Sequence, residues 1–166
     1  LERFGQANRD LTFDLRLTDH FTDLASEGID LAFCLGASGM QSLKTRRLGQ
    51  FQSSLVASRA YLAARGTPQT VKDLEDHACI VDTNRQSPRR WVFRRDGTET
   101  VAQVQGRFHV NSARAAVELA QQGAGIAYVP DFALHCVTGG HDLVRLLADH
   151  TSDGHPITAA YLEGRT

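Results

Sequence analysis

A regular alternation of apolar and polar residues predicts a β-strand near the start of the chain. Residues 11–17 read LTFDLRL, with the period of two that places apolar side chains on one face of a strand. Thr18 and Asp19 follow, and both residue types are common helix N-caps, while Gly28 lies where a helix would end. Residues 29–35 are apolar except for one aspartate, which is typical of a buried parallel strand. The pattern predicts a strand–helix–strand unit.

A second segment repeats this order of signals. Residues 104–110 have the pattern of a strand, and Asn111 and Ser112 offer a helix cap. An apolar helical face and a glycine stop come next, and residues 125–129 predict another strand, closed by Pro130. Strand–helix–strand units with short loops imply parallel strands. Two such units predict an α/β protein with two similar lobes.

The remaining residues predict further short elements. Asp96-Gly97 is a strong turn pair for a hairpin, and Thr70 and Asp73 have the spacing of a capping box that opens a helix ending near His77. The other predictions are hairpin strands at 90–95 and 99–104, strands at 51–57, 78–81, 143–147 and 157–162, and helices at 58–65 and 131–137.

Composition narrows the class of protein. Of the 166 residues, 42% are hydrophobic and 22% are charged, which is typical of a folded globular domain. The formal net charge is -1 with neutral histidines, whereas domains that grip nucleic acid through its phosphates carry a basic excess. This stretch is therefore a poor candidate for touching DNA itself. No apolar run approaches the roughly 20 residues that cross a bilayer, so no membrane partner is predicted.

The number and spacing of the cysteines indicate the cellular compartment in which the protein is expected. Cys34, Cys79 and Cys136 are odd in number, and their spacing fits neither a disulfide framework nor a CxxC metal pair. No basic-then-apolar signal peptide opens the chain. We therefore expect reduced, mostly buried thiols in a cytoplasmic protein.

The best candidates for ligand contact are polar residues at predicted strand ends. In open α/β sheets ligands bind outside the carboxyl ends of the strands, and helix starts at these positions favour anions. The alternative is that these residues only cap helices. Arg85 suits a ligand carboxylate, although it is equally compatible with a surface loop. The predicted effector-binding set is Thr18, Asp19, Gly36, Ser38, Thr83, Asn84, Arg85, Asn111, Ser112 and Pro130.

Signals for catalysis are weak. The sequence has no HExxH, GxSxG, Walker or GxGxxG motif. His135 and Cys136 are neighbours on a predicted helix and would point in different directions, which makes a poor nucleophile–base pair. No catalytic residue, metal site or cofactor is predicted, and the chain is not expected to be an enzyme. A hydrolase that pairs a histidine with Cys34 or Cys136 is the enzyme alternative.

Several ordered motifs resemble the LysR-type transcriptional regulators. Residues 23–33 (DLASEGIDLAF) resemble that family's "DLxxEGxDLAxR" segment. The resemblance continues through LGQF at 48–51, LVASRAYL at 55–62, HACI at 77–80, WVF at 91–93 and, after Asn111, GAGIA at 123–127 and VP at 129–130. Two departures are Arg59, where the family often has proline, and Cys34-Leu35, where an arginine commonly follows.

The resemblance implies an effector-binding domain. Such a domain has two Rossmann-like lobes, similar to type II periplasmic binding proteins, joined by two crossover strands, here expected near 55–57 and after residue 147. Lobe I would comprise 1–56 and 151–166, without its first strand and last helix, and lobe II would comprise 57–150. The family's N-terminal winged helix-turn-helix is not in this chain.

The function that the resemblance implies is effector sensing in a bacterial transcription factor. A small molecule, such as an organic acid, would bind between the lobes. The protein would form a homodimer or tetramer and reach promoter DNA only through the DNA-binding domain that this chain lacks. The alternative is a periplasmic solute-binding protein of the same architecture, against which the unpaired cysteines argue.

Overall fold

The computed structural model describes residues 1–18, 23–36, 43–135, 142–152 and 154–162. Their α-helices are α1 (Glu2–Ala7), α2 (Arg59–Arg65) and α3 (Ala113–Gln121), and two 3-10 helices cover Lys72–Asp76 and Asp131–His135. Their strands are β1 (Leu31–Leu35), β2 (Lys44–Phe51), β3 (Ser53–Ser58), β4 (Ala78–Asp82), β5 (Arg90–Arg95), β6 (Thr98–Gln103), β7 (Gln105–Val110), β8 (Ile126–Pro130), β9 (Leu143–Leu146) and β10 (His155–Tyr161).

The larger sheet has five strands in the order β7-β4-β8-β3-β9. Strand β4 pairs in parallel with both β7 and β8, so the predicted parallel unit around α3 is present, with β4 inserted between its two strands. Strand β3 pairs antiparallel with β8 and β9. Two apolar layers cover this sheet. On one face Ala116, Val117 and Ala120 of α3 are fully buried, and on the other face Trp91 and Phe93 of the β5–β6 hairpin are buried.

The smaller sheet has three strands in the order β1-β10-β2, and both outer strands pair antiparallel with β10. The prediction that residues 29–35 form a buried parallel strand is wrong, because β1 pairs antiparallel and its Leu31, Phe33 and Leu35 side chains are exposed. The strand predicted at 11–17 is also wrong, since these residues are irregular and exposed. An alternating pattern forms a strand only where another strand pairs with it, and within the described ranges nothing pairs with 11–17.

Predictions that rest on local signals agree with the structure. Ser58 Oγ accepts a hydrogen bond from Tyr61 N at the start of α2, and Gly66 follows its end. The capping box is present, with Thr70 Oγ1 donating to Asp73 Oδ1 over 2.7 Å. The hairpin turns at Asp96 and Gly97, both with positive φ.

The chain passes between the two sheets twice. Gln52 separates β2 from β3, so the single strand predicted at 51–57 is two strands that belong to different sheets. The change of sheet thus precedes the expected crossover at 55–57. The return runs between β9 and β10. The predicted helix at 131–137 is a 3-10 helix as far as His135, and residues 136 and 137 lie outside the described ranges. None of the helices described is both long and apolar enough to cross a membrane.

Candidate functional site

One edge of the five-stranded sheet gathers most of the predicted effector-binding residues. Strands β7, β4 and β8 run in parallel and end at this edge, at Val110, Asp82 and Pro130. Strand β3 runs the other way and begins there, with Ser53 opposite Pro130. We call this the carboxyl edge. It brings together Thr83, Asn84, Arg85, Asn111, Ser112 and Pro130 from three separate stretches of the chain.

Hydrogen bonds hold the loops that follow β4 and β7 against each other. Thr83 donates to the Val110 carbonyl from its backbone N at 2.8 Å and from Oγ1 at 3.1 Å. Asn84 Nδ2 donates to the Asn111 carbonyl at 2.5 Å. Both side chains are therefore engaged in positioning the edge, and both residues remain exposed. These polar contacts hold the loops of the carboxyl edge together.

Helix α3 begins at the same edge. Ser112 has extended backbone angles, and its Oγ accepts a hydrogen bond from Ala115 N at 3.4 Å. The capping interpretation of Ser112 is therefore correct. The amino end of a helix carries partial positive charge, so α3 adds a weak attraction for anions at this edge.

Arg85 connects three strands at the carboxyl edge. Its backbone follows β4, and its Nη2 donates to Ser53 Oγ and to the Tyr128 carbonyl, both at 3.0 Å. Its guanidinium also lies over the Tyr128 ring, with Cζ 4.1 Å from the ring centroid, which is a favourable cation–π distance. The interpretation of Arg85 as a surface loop arginine is wrong, because this side chain crosses β8 to reach the start of β3 and is partly buried.

Burial and the neighbouring groups have opposite effects on the charge of Arg85. Burial lowers the pKa of its guanidinium, while the neighbouring Tyr128 and Asp82 act in the opposite direction. Its Nε is inaccessible to solvent and has no hydrogen-bond partner among the described residues. A buried, incompletely bonded cation is costly unless something completes its bonding. This is the strongest electrostatic feature of the carboxyl edge.

The two segments that connect the sheets meet next to Arg85. Ser53 N donates to Ser152 Oγ over 2.8 Å, and both serines are buried. Asp131 N donates to the Gln52 carbonyl at 2.9 Å. The carboxyl edge and the crossovers thus form one hydrogen-bonded unit through Arg85, Ser53 and Ser152.

The whole chain, residues 1–166, matches the family model of the LysR substrate binding domain. The chain belongs to that family. LtrA of Klebsiella pneumoniae, a probable HTH-type transcriptional regulator, is 32% identical over 135 residues, 81% of this chain and 44% of that protein. The HTH-type transcriptional activator AaeR of Escherichia coli (strain K12) is 33% identical over 85% of this chain and 46% of its own length.

The fold is also similar to solved structures of LysR-type regulators. The regulatory domain of CrgA, a LysR-type transcriptional regulator from Neisseria meningitidis, has a TM-score of 0.82 at 27% identity, covering 98% of this chain and 79% of that one. The predicted α/β fold of periplasmic-binding-protein type is confirmed, and the regulator relatives fit the main functional prediction and not the periplasmic alternative. This LysR substrate-binding domain spans about half the length of the curated relatives it matches.

The other four predicted site residues are Thr18, Asp19, Gly36 and Ser38, and the structure describes two of them, Thr18 and Gly36. Gly36 follows β1 with a φ of 91°, and its N donates to the Pro156 carbonyl at 2.9 Å, so it ends the strand beside β10. Thr18 is exposed after the irregular segment. Asp19 and Ser38 lie outside the described residues. A ligand role for these four residues stays a prediction.

Sequence reasoning missed three residues of the unit around Arg85: Ser53, Tyr128 and Ser152. Tyr128 lies within an apolar run that predicts only a buried strand. Ser53 and Ser54 interrupt the apolar pattern at the start of β3, which is a weak signal of a polar role. A surface depression of about 360 Å³ lies beside the edge, with Thr83 as its one predicted site residue. Its full lining is Val81, Thr83, Ser87, Pro88, Arg89, Arg90, Gln103 and His109.

Of the two cysteines that the enzyme alternative names, Cys34 and Cys136, the structure describes only Cys34. Burial raises the pKa of Cys79 to about 12 and also raises the pKa of Cys34. Because the thiolate is the nucleophile, neither side chain is activated at neutral pH. Cys136 lies outside the described residues. Among the side chains that the structure describes, no group of three or more His, Cys, Asp or Glu could hold a metal ion.

Proposed function

We propose that this chain is the effector-sensing domain of a LysR-type, DNA-binding transcription factor. In this proposal a small molecule binds between lobe I (1–56 and 151–166) and lobe II (57–150), against the carboxyl edge. The complete protein is a cytoplasmic homodimer or tetramer that contacts promoter DNA through a separate winged helix-turn-helix. The domain has no enzymatic activity of its own.

The observation that carries the proposal is the hydrogen-bonded link from the carboxyl edge to the crossovers. A ligand can switch a protein only if it binds two of its conformations with different affinity. A molecule that contacts Arg85 touches a residue bonded to Ser53, which is itself bonded to Ser152 of the return segment. In the proposal, a ligand at the carboxyl edge acts through these hydrogen bonds on the segments that connect the two sheets.

The resident polar groups of the edge support a ligand with hydrogen-bonding capacity. Exposed Thr83, Asn84 and Asn111 surround the start of α3. Binding sites of this kind combine apolar walls with a few fixed polar groups. In the proposal Thr83, Asn84, Arg85, Asn111, Ser112 and Pro130 form the lobe II wall, and Thr18, Asp19, Gly36 and Ser38 contribute from lobe I.

The test uses the complete gene product and fragments of its own genome. We expect selection from the fragment pool to recover specific sites, and a set of small organic acids to contain a compound that changes the affinity for those sites. The paired measurement is thermal unfolding with and without each compound, since a ligand that binds the native state raises the Tm. Recovery of no specific DNA would overturn the transcription-factor assignment. Compounds that change neither DNA affinity nor Tm would overturn sensing.

A further inference from the structure

The segment that returns from β9 to β10, residues 147–154, is paired with the end of strand β5. Thr151 N donates a hydrogen bond to the Arg94 carbonyl at 2.8 Å, and Arg94 N donates to the Thr151 carbonyl at 2.9 Å. Thr151 Oγ1 also donates to the Arg94 carbonyl, at 3.2 Å. The two residues therefore form an antiparallel bridge between the return segment and the β5–β6 hairpin. Because the hairpin packs on the five-stranded sheet, the bridge fixes this part of the return segment to that sheet.

Charged side chains lie beside this bridge. Arg95 Nη1 is 2.7 Å from Asp149 Oδ2, and His150 Nδ1 is 2.7 Å from Asp149 Oδ1. Asp149 therefore uses one carboxylate oxygen to contact the hairpin and the other to contact its own segment. The hydrogen bond with His150 and the charge of Arg95 lower the pKa of Asp149, so its carboxylate is ionised at neutral pH. A single exposed ion pair contributes little to stability, and here it adds to the hydrogen bonds of the bridge.

The return segment begins with an unfavourable backbone conformation. Leu147, the first residue after β9, has a φ of 47°, in the left-handed region that leucine rarely adopts. Among the described residues, the one other non-glycine with a positive φ is Asp96, in the hairpin turn. His150 N donates to the Leu147 carbonyl at 2.9 Å, and the Leu147 side chain packs against the apolar layer that contains Trp91. Strained conformations of this kind persist only where surrounding contacts enforce them, and they are frequent in switch regions.

These contacts determine how long the free connection between the two sheets is. The return segment leaves the hairpin at Thr151, and β10 begins at His155. While the bridge is intact, only residues 152–154 lie between the hairpin and the three-stranded sheet. If the bridge opens, the connection starts at Leu147 instead. Each added residue contributes two rotatable backbone angles, so an open bridge allows the sheets more relative orientations.

We propose that residues 94–95 and 147–151 form a latch that restricts the movement of the two sheets relative to each other. In the closed latch, the Arg94–Thr151 bridge and the Arg95–Asp149 ion pair hold Leu147 in its strained conformation. Opening breaks these contacts, relieves the strain and lengthens the free connection. Because the strain offsets part of the stabilisation from the contacts, the closed and open states differ less in free energy than the contacts alone imply. The inference does not depend on the proposed function, since it concerns how the sheets are joined whatever the domain binds.

The first experiment is amide hydrogen exchange of the complete gene product, followed by mass spectrometry on peptides that contain Arg94 or Thr151. Both amides donate across the bridge, so their exchange reports the opening of the latch. Arg95→Glu should accelerate exchange of both amides by about twofold to fivefold, the range for loss of an exposed ion pair. Asp149→Arg should have the same effect. The double variant Arg95→Glu/Asp149→Arg restores an ion pair of reversed polarity and should return both rates toward those of the parent.

Arg114→Glu is the matched control, because Arg114 forms an exposed ion pair with Glu118, at 2.9 Å, within α3. Helix α3 covers the face of the five-stranded sheet opposite the hairpin, so this variant should leave exchange of the bridge amides unchanged. The latch is overturned if the two single reversals leave these rates unchanged. It is also overturned if the double variant exchanges as fast as the single ones, or if Arg114→Glu accelerates exchange equally.

The strain at Leu147 is tested by Leu147→Gly and Leu147→Ala. Both variants remove the packed side chain, but only glycine adopts a positive φ without strain. The Thr151 amide should therefore exchange more slowly in the glycine variant than in the alanine variant, by about threefold. Equal rates, or faster exchange in the glycine variant, would show that the closed latch does not hold a strained residue.

The second experiment measures the movement itself. Spin labels are attached through an introduced keto amino acid at Arg46 of β2 and at Gln122, just past α3, both of which are exposed. The distance distribution within one chain is recorded by pulsed electron resonance after dilution with unlabelled protein. We expect a broader distribution in Arg95→Glu than in the parent, and a narrower one again in the double variant. An unchanged distribution in a variant whose bridge amides exchange faster would overturn the role of the latch in restricting movement.

Discussion

The five-stranded and three-stranded sheets use apolar side chains of the same kind in different ways. In the five-stranded sheet α3 covers one face and the β5–β6 hairpin covers the other, and Phe93 is only 2% exposed. In the three-stranded sheet Phe33 of β1 is 63% exposed. Residue type alone does not distinguish the two strands. What distinguishes them is whether a second layer lies against the sheet within the residues described.

This difference shows which of the two sheets contains most of the buried apolar surface. Burial of apolar surface is the main favourable contribution to folding, and it is concentrated in the five-stranded sheet, which also carries the carboxyl edge. The carboxyl edge therefore lies on the better packed of the two sheets that the structure describes. Matched substitutions in the two sheets test this division.

The largest difference is expected for the pair Phe93→Ala and Phe33→Ala. Removing the buried Phe93 ring leaves a cavity beside Tyr128, whose ring centroid is 5.0 Å away, and should lower the free energy of unfolding by about 3–5 kcal/mol. Removing the exposed Phe33 ring should change it by less than about 0.5 kcal/mol. Urea unfolding followed by the fluorescence of Trp91, the single tryptophan, measures both. A large loss for Phe33→Ala would show that its face is covered after all.

The next pair is Gly106→Ala and Gly49→Ala, one glycine in each sheet. A Cβ on Gly106 would lie 1.5 Å from the Cys79 carbonyl oxygen of the neighbouring β4, so the two strands must separate, at a cost of about 3 kcal/mol. A Cβ on Gly49 meets nothing within 4 Å, and alanine there should be neutral or stabilise by about 0.5 kcal/mol. Amide hydrogen exchange of β4 should accelerate only in the first variant. Unchanged exchange in β4 would contradict the close approach.

A smaller difference is expected for Tyr61→Phe and Tyr161→Phe. The buried Tyr61 hydroxyl accepts a hydrogen bond from Ala78 N at 3.0 Å and contacts His77 Nδ1 at 3.0 Å. Its removal leaves the Ala78 amide without this acceptor and should cost about 1–2 kcal/mol. Tyr161 in β10 is exposed, and the same change there should fall within about 0.5 kcal/mol. Thermal unfolding of both variants measures the difference in stability between them. Equal Tm shifts would contradict the prediction.

The parts of the fold that the sequence predicts correctly depend on neighbours in the chain. The Asp96-Gly97 hairpin, helix α2 and the Thr70–Asp73 box are each formed by residues a few positions apart. The failures depend on distant partners. The alternating residues 11–17 can form a strand only if a second strand pairs with them. The apolar run at 29–35 does not indicate which strand pairs with it or in which direction.

The candidate site also has one part that the sequence predicts and one part that it does not. The position of Thr83, Asn84, Asn111 and Ser112 at a common edge follows from parallel strands, which the chain order predicts. The contacts of Arg85 do not follow, because Ser53 and Tyr128 are 32 and 43 residues away in the sequence. Only the three-dimensional structure brings these groups to one guanidinium.

The smallest effect is expected for the pair Asp73→Asn and Asp30→Asn. Hydrogen bonds from the Thr70 hydroxyl, and from the Thr70 and Gln69 amides, lower the pKa of Asp73 below its ordinary value of 3.8. A carboxyl whose pKa is depressed by folding stabilises the native state above its unfolded pKa, and this contribution is lost as the pH falls through the folded pKa. Asp73→Asn should therefore be less stable than the parent at pH 7, and the difference should shrink as the pH falls through the folded pKa.

Asp30→Asn is the matched control, because Asp30 is an exposed aspartate beside β1 for which no such set of amide donors is present among the described residues. At pH 7 this exposed substitution should change the free energy of unfolding by less than about 0.5 kcal/mol. Urea unfolding of the three proteins at pH 7 and pH 2 gives the comparison. If Asp73→Asn remained equally destabilised at pH 2, the ionised carboxylate would not be the stabilising group, and the capping box would act through the Thr70 hydroxyl alone.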